Sequence, residues 1–270
     1  MKIRLSCTSL LFAVALFQPA AVHAQGAPGA QAKSHLHRVL ESGVLRVGTT
    51  GDFRPMTFRD PATNEYAGHD IEVARELAKD MGVKVEFVAT DWKSIVSGIV
   101  ADKYDIAMSG ISLNLDRAKV AGFTLPYMEF GTVPMTLRKN EKRFRSWSDI
   151  DKANVTVATT LGTVFDQQAK EYFKTAKIKN VEAPALGYQE LLSNRAEVTI
   201  TSNVEAAALV KTYPQLAIIP VDKARSRRPA SFMVPQDDMV WLNYVNHWIE
   251  LKRAQDFFAG LEKKWLKAGE

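Results

Sequence analysis

The chain has 270 residues, 46% of them hydrophobic and 24% charged. This ordinary globular composition excludes disordered, collagen-like and low-complexity classes. Thirty-five basic against thirty acidic residues leave a net charge of +5, too mild to demand a nucleic-acid partner. One cysteine, Cys7, excludes a disulfide scaffold, a CxxC redox centre and a cysteine-based zinc site.

Lys2 and Arg4 precede the apolar run Leu10–Phe17, and Val22-His23-Ala24 is a cleavage site of the small–x–small type. Residues 1–24 therefore read as a signal peptide. The apolar run is too short to cross roughly 30 Å of hydrocarbon, and Cys7 lies before it, which argues against a lipoprotein. The mature chain is expected to carry +3, to lack cysteine and to be exported, into the periplasm if the host has two membranes. Residues 25–35 read as a flexible lead.

The rest alternates strands with helices. Leu36–Leu40 suits a short helix stopped by Gly43, and Val44–Thr49 alternates like a strand. Gly51–Pro55 is a turn. Ile71–Met81 has apolar residues at helical spacing, with Gly82 as the stop. Val83–Val88 reads as a strand, Ile95–Ala101 as a helix and Tyr104–Met108 as a buried strand before the turn Ser109-Gly110. Asp116–Val120 starts a helix. Thr132–Leu137 is a strand whose proline suggests an edge or a crossover.

A second block repeats the style. It has strands at Val155–Thr159, Val198–Thr201 and Leu216–Val221. Helices are expected from Gly162-Thr163 through Phe173, over Gly187–Ser193 and over Val204–Thr212. Ser231–Val234 is a last strand, and residues 239–268 carry helical spacing throughout. The alternation implies α/β architecture with mostly parallel sheets, which bind ligands beyond the carboxyl ends of their strands. Two crossings, near 132–137 and near 231, would join two lobes around a cleft.

Enzyme signatures are absent: there is no GxGxxG, P-loop, GxSxG or HExxH. His35 and His37 alone among the histidines approach metal-ligand spacing, and no metal site or cofactor is expected. The basic run Arg225–Arg228 is either an anion patch or a solvated loop, and the loop is preferred. Lys263-Lys264 beside Trp265 reads as a helix surface.

The segments LESGVLRVGTTGDFRPMTF, YAGHDIEVARELAKDMGVKVEFV and YDIAMSGISLNLDRAKVAGFTLPY closely resemble the periplasmic solute-binding proteins of amino-acid ABC importers. The resemblance implies a type-two fold: two lobes, each a mostly parallel sheet flanked by helices, joined by a two-strand hinge. Lobe one would comprise 36–131 plus 229–270, and lobe two 132–228. It also implies a monomer that delivers a small ligand to an inner-membrane permease. MSGISLNLDR further resembles the cyclohexadienyl dehydratase branch of this fold, whose members act on prephenate and arogenate.

By that resemblance Arg117 anchors the ligand's carboxylate, since a guanidinium fork matches a carboxylate bidentately. Ser109, Gly110 and Ser112 form the adjoining turn. Gly162 and Thr163 close from the second lobe, where a helix N-terminus favours an anion. Phe53 and Trp92 wall the pocket, and Asp70 serves the framework of lobe one. Two departures stand out. Ser202 occupies the place of the aspartate that usually pairs with a ligand ammonium, which leaves Glu205 or Asn203 for that role, or a ligand without an α-amino group. The dehydratases place a glutamate acid just after the glycine–threonine turn, and counting puts Asp166 there. The lysine expected near Ala230 in those enzymes is missing. Two readings follow: a receptor for a small carboxylate-bearing metabolite, or a prephenate/arogenate dehydratase using Asp166 as general acid.

Overall fold

The computed structural model describes residues 33–266. The expected signal peptide, with its cleavage site after Ala24, and residues 25–32 of the lead lie outside them. Helix α1 (His35–Ser42) opens one residue before the apolar pattern begins. Ser34 caps it, and Asp238 accepts the His35 N–H at 2.6 Å and the Ser34 hydroxyl at 2.7 Å. His35, expected in the lead, is therefore helical, because a distant carboxylate satisfies the orphan donors of the first turn.

Strand β1 (Val44–Thr49) leads into a small antiparallel sheet of β2 (Asp52–Phe53), β3 (Thr57–Arg59) and β4 (Tyr66–Ala67). Helix α2 (His69–Asp80) buries Ile71, Val73, Ala74, Leu77 and Ala78, the stripe its spacing predicts. Then come β5 (Lys84–Ala89), α3 (Ile95–Val100), β6 (Ile106–Ala107), α4 (Leu115–Ala118) and β7 (Ala121–Phe123). The chain crosses on β8 (Met128–Leu137). Beyond it lie α5 (Trp147–Ile150), β9 (Thr156–Thr160), α6 (Val164–Tyr172), β10 (Lys177–Val181), α7 (Gly187–Leu192), β11 (Val198–Ser202), α8 (Asn203–Thr212) and β12 (Leu216–Ile218). It returns on β13 (Arg225–Ala230) to β14 (Met233–Pro235), α9 (Met239–Ala254) and α10 (Phe257–Trp265).

Two sheets result. The first has the order β5-β1-β6-β14-β7, parallel over β5, β1 and β6 and antiparallel where β14 joins. The second runs β10-β9-β11-β8-β12, parallel over β10, β9 and β11 and antiparallel at β8. Strand β13 pairs antiparallel with β8 from Arg225↔Thr132 to Ala230↔Met128. The two connecting strands thus hydrogen-bond to each other on their way between the sheets. One apolar core fills the first lobe around Leu45, Val47, Ile106 and Trp241. Two smaller cores, around Val157 and Ile200 and around Met135 and Leu209, pack with the second sheet.

Three expectations are corrected. Of the two places expected for strand β8, the crossover is where it lies and the edge is not: β11 lies on one side, β12 and β13 on the other. Pro134 is tolerated because it stands beyond Ile218, the end of the β12 pairing, and before the β13 pairing begins at Thr132, where no ladder donor is required of it. The basic run 225–228 is strand β13 rather than a loop. The terminal helix is broken at Asp256, whose backbone adopts the left-handed conformation (φ 59°).

Candidate functional site

A cleft is lined by residues of both lobes, the kind of concavity in which proteins hold small molecules. The first lobe contributes Asp52, Phe53, Trp92, Gly110, Ser112 and Arg117. The second contributes Thr163, Val164 and Phe165 from the start of α6, Leu186–Tyr188, Thr199–Thr201, and Glu205 and Leu209 from α8.

Local sequence explains how the first-lobe groups are placed. Phe53 packs edge-on to Trp92, with ring centres 5.9 Å apart, and Trp92 Nε1 donates to Asp52 Oδ1 at 3.0 Å. Gly110 turns with φ 62°, and a Cβ there would come 2.6 Å from the Phe53 ring, so the turn accepts only glycine. The Gly110 N–H donates to Asp70 Oδ2 at 2.6 Å. The same oxygen takes the Tyr127 hydroxyl at 2.8 Å, while His69 Nδ1 lies 2.9 Å from Oδ1. Burial and the Asp70 charge push the Tyr127 phenol well above its usual pKa, which keeps it a donor. Asp70 is therefore buried framework behind the turn. Ser109 also faces away from the cleft, bonding Thr49, Thr50 and the Thr50 N–H.

Arg117 follows a helix start capped by Asn114, whose Oδ1 accepts the Asp116 and Arg117 N–H groups. Its Nη2 reaches across the cleft and donates to the Gly162 carbonyl at 2.9 Å. No carboxylate pairs with it among the described residues. Burial, aided by the charge of Arg228, lowers its pKa to about 10, so it stays a cation at neutral pH. Two more contacts bridge the cleft: Asn114 to Gln167 at 2.9 Å and Lys93 to Glu182 at 3.1 Å. Gly162 (φ 83°) abuts the other lobe, since a Cβ there would sit 2.7 Å from the Trp92 carbonyl carbon. Thr163 caps α6, accepting the Asp166 N–H, and donates its hydroxyl to Thr160 O at 2.6 Å.

The remaining second-lobe residues divide. Asp166 is buried but does not line the cleft; its Oδ1 is taken by Asn180 and by Lys170 at 2.8 Å. Ser202 is fully buried as the N-cap of α8, accepting the Glu205 N–H at 3.0 Å. Asn203 Oδ1 accepts the N–H of Gly131 at 2.9 Å. Glu205 alone of this group faces the cleft, where Thr201 donates its hydroxyl to it. Burial, with Asp52 adding its charge, raises the Glu205 pKa to about 8. Asp52 is likewise raised by burial. At neutral pH the second-lobe wall of the cleft that Arg117 also lines thus carries a protonated carboxylic acid.

Sequence reasoning missed Asp52, which it read as part of a turn, and the apolar wall of Phe165, Tyr188 and Leu209. An acid three residues beyond the carboxyl end of β1 is the signal that would have found Asp52. Elsewhere His35, Asp102 and Asp105 bring ligand atoms within 4.8 Å of one another. Both carboxylates are already ion-paired to Arg46, and Asp102 also to Arg38, so a cation there would compete with two guanidinium groups. No helix among the described residues is long and apolar enough to cross a membrane.

The family model for bacterial extracellular solute-binding proteins, family 3, matches residues 45–268. Cyclohexadienyl dehydratase of Pseudomonas aeruginosa is 32% identical over 257 residues, spanning 95% of this chain and 92% of that protein. The L-cystine-binding protein TcyJ of Escherichia coli is 24% identical over 234 residues, 86% of each chain. The crystal structure of an ancestral amino-acid-binding protein, described as a precursor of cyclohexadienyl dehydratase, superposes with a TM-score of 0.81 at 35% identity. It covers 86% of this chain and 100% of its own. A binding component of an ABC transporter from Wolinella succinogenes, complexed with lysine, superposes with a TM-score of 0.77 at 30% identity, covering 83% and 96%.

Proposed function

Since the chain belongs to family 3 of the bacterial extracellular solute-binding proteins, we propose that it is a periplasmic receptor which captures a small carboxylate-bearing metabolite for an ABC importer. One observation carries this reading. Arg117 stands half-buried at the cleft with no carboxylate partner among the described residues, and a cation drawn that far out of water is best met by a ligand anion. Phe53 and Trp92 give the ligand an apolar wall. Thr163 and the N-terminus of α6 approach from the far side, where the helix dipole favours the same anion. Lobe one is taken as 36–131 plus 229–270 and lobe two as 132–228; the mutual pairing of β8 and β13 supports a hinge there. Closure needs no new contact type, because the ligand stabilises the closed form by touching both lobes. The protein acts as a monomer, and a membrane permease is its partner.

The test is a thermal-shift panel of amino acids and organic acids on ligand-stripped protein. The reading predicts stabilisation by at least one carboxylate. It also predicts a loss of roughly 100-fold in that affinity for Arg117→Gln, as expected when one partner of a buried charge pair is removed. Stabilisation unaffected by the substitution would overturn it.

Glu205 supports a second reading, prephenate/arogenate dehydratase. A neutral carboxylic acid in an apolar cleft is what a general acid needs near pH 7. Asp166 points away from the cleft and is held by Lys170, so Glu205 takes the acid's role in this reading. It would give its proton to the departing hydroxyl while the ring carboxylate leaves as CO2 and its bonding electrons complete the aromatic ring. Incubating the protein with prephenate and following phenylpyruvate decides the matter. Turnover abolished by Glu205→Gln but kept in Asp166→Asn makes the chain an enzyme; no turnover above background leaves the receptor.

A further inference from the structure

Charge is divided unevenly along the chain. Residues 132–228 hold sixteen basic and ten acidic side chains, whereas 36–131 with 229–270 hold sixteen basic and twenty acidic ones. The basic excess gathers at one end of the second sheet. Strands β9, β10 and β11 run parallel, and Thr160 and Thr201, at the carboxyl ends of β9 and β11, line the cleft. Their amino ends therefore lie at the opposite pole, about 16 Å away for a five-residue strand.

Three segments meet at that pole. Strand β8 runs antiparallel to β11, so its carboxyl end and the 3-10 turn Arg138–Arg143 that follows are found there. Residues 144–155 lead into β9, and residues 173–177 lead from α6 into β10. Arg143 donates to Asn154 O at 3.2 Å, and Asp151 accepts the N–H groups of Thr175 at 2.6 Å and Ala176 at 2.9 Å, which ties the three together. Over 138–155 and 173–177 stand eight basic residues and three acidic ones. Each acid is already engaged. Glu141 pairs with Arg138 at 3.4 Å, Asp149 accepts the Arg145 N–H and the Ser146 hydroxyl at 2.9 Å each, and Asp151 holds the 173–177 loop. Lys142, Arg143, Arg145, Lys152, Lys174 and Lys177 are all exposed, and none is in an ion pair among the described residues.

We infer that this pole is an electrostatic docking face for an anionic phospholipid surface, on which the protein rests without inserting. A face for single-stranded nucleic acid would interleave its cations with open rings for base stacking. Here Phe144 and Phe173 are buried, and Trp147 is covered by Arg225, 4.5 Å from the ring centre, and by the edge of Tyr172. An inserting face would present apolar side chains, and none of the large exposed ones falls in these segments. What remains is charge on long, mobile side chains drawn from three segments. That suits a field of mobile lipid phosphates better than the fixed carboxylates of one acidic protein. Because the cleft lies at the other end of the same strands, a molecule resting on this pole keeps its cleft clear of the surface. The inference is independent of what the cleft binds.

The test is co-sedimentation of the mature chain with phosphatidylcholine vesicles, with and without phosphatidylglycerol. It is run at about 10 mM and about 150 mM salt, where charges act over roughly 30 Å and 8 Å. The proposal predicts binding to the phosphatidylglycerol vesicles alone, falling steeply with salt. Each cation near such a surface is worth about fivefold in partitioning. A triple variant, Lys142→Gln with Arg145→Gln and Lys152→Gln, should therefore bind about 100-fold more weakly. Lys84→Gln with Lys103→Gln and Lys263→Gln removes the same charge from exposed positions outside the pole and should bind like the wild type. All six substitutions are at exposed side chains, and matching melting temperatures confirm that the folds are intact. An equal loss in both triple variants would make the effect one of net charge and overturn the docking face. So would equal binding to neutral vesicles, or no binding to anionic ones at low salt. Retention on immobilised polyglutamate without binding to the anionic vesicles assigns the pole to an acidic protein and overturns the lipid proposal.

Discussion

Replacing Glu205 by glutamine should change how stability depends on pH more than any other single substitution in the cleft. The side chain is buried between Thr201 and the cleft, and its pKa stands at about 8 against 4.5 for an unperturbed glutamate. The folded state thus holds the proton more tightly than the unfolded chain. Its contribution is complete below pH 4.5 and is lost progressively as pH rises through 8. At about 1.4 kcal/mol for each pH unit, the full loss is on the order of 5 kcal/mol. Glutamine keeps the shape and the oxygen that accepts the Thr201 hydroxyl, but it cannot ionise. Urea unfolding between pH 5 and pH 9, followed by tryptophan fluorescence, should show the wild type weakening with rising pH and Glu205→Gln weakening far less. Groups held low, such as Glu190 at about 2 beside Arg195 and Lys179, lose their contribution only below this window and do not mask the effect. Parallel curves for the two proteins would refute the protonated Glu205.

Two other outcomes follow from the same geometry. Gly162→Ala combines a left-handed backbone with a Cβ 2.7 Å from the Trp92 carbonyl carbon of the opposite lobe. It should weaken ligand affinity about tenfold or more by holding the lobes apart, at a folding cost of about 1 kcal/mol; an unchanged affinity in titration calorimetry counts against that contact. A ligand whose cationic group meets Glu205 should expel about one proton at pH 7, seen as a binding enthalpy that changes with the buffer's ionisation enthalpy. Tight binding of such a ligand with no buffer dependence would contradict the neutral acid.

Much of the first lobe was legible because its helices and strands carry plain periodicities. The α2 stripe and the alternation of β1 have no competing explanation, and each element buries the face its spacing picks out. Strand β13 was not legible. A run of arginines and serine has no apolar face, and its strand conformation comes from pairing with β8 and from stacking and hydrogen bonds that involve residues far away in sequence. The break between α9 and α10 was hidden for a related reason: Asp256 takes the left-handed backbone without a glycine or proline to announce it. In the site, Arg117 and Thr163 came from a family pattern, and both line the cleft. Asp166 followed from counting along the chain, which ignores that a helix's first turn points its side chains in several directions. Asn180 and Lys170 hold that carboxylate away from the cleft. Glu205 entered as a stand-in for a missing aspartate. Its unusual protonation arises from three-dimensional burial and from Asp52 on the other lobe, neither of which a linear pattern displays.

The most direct measurement is a crystal structure of the mature protein with the tightest-binding carboxylate from the panel. Capture through Arg117 predicts that the carboxylate sits in bidentate contact with the Arg117 guanidinium, between the Ser112 turn and the start of α6 at Thr163. A carboxylate bound elsewhere in the cleft, with Arg117 still resting on the Gly162 carbonyl, would contradict the account.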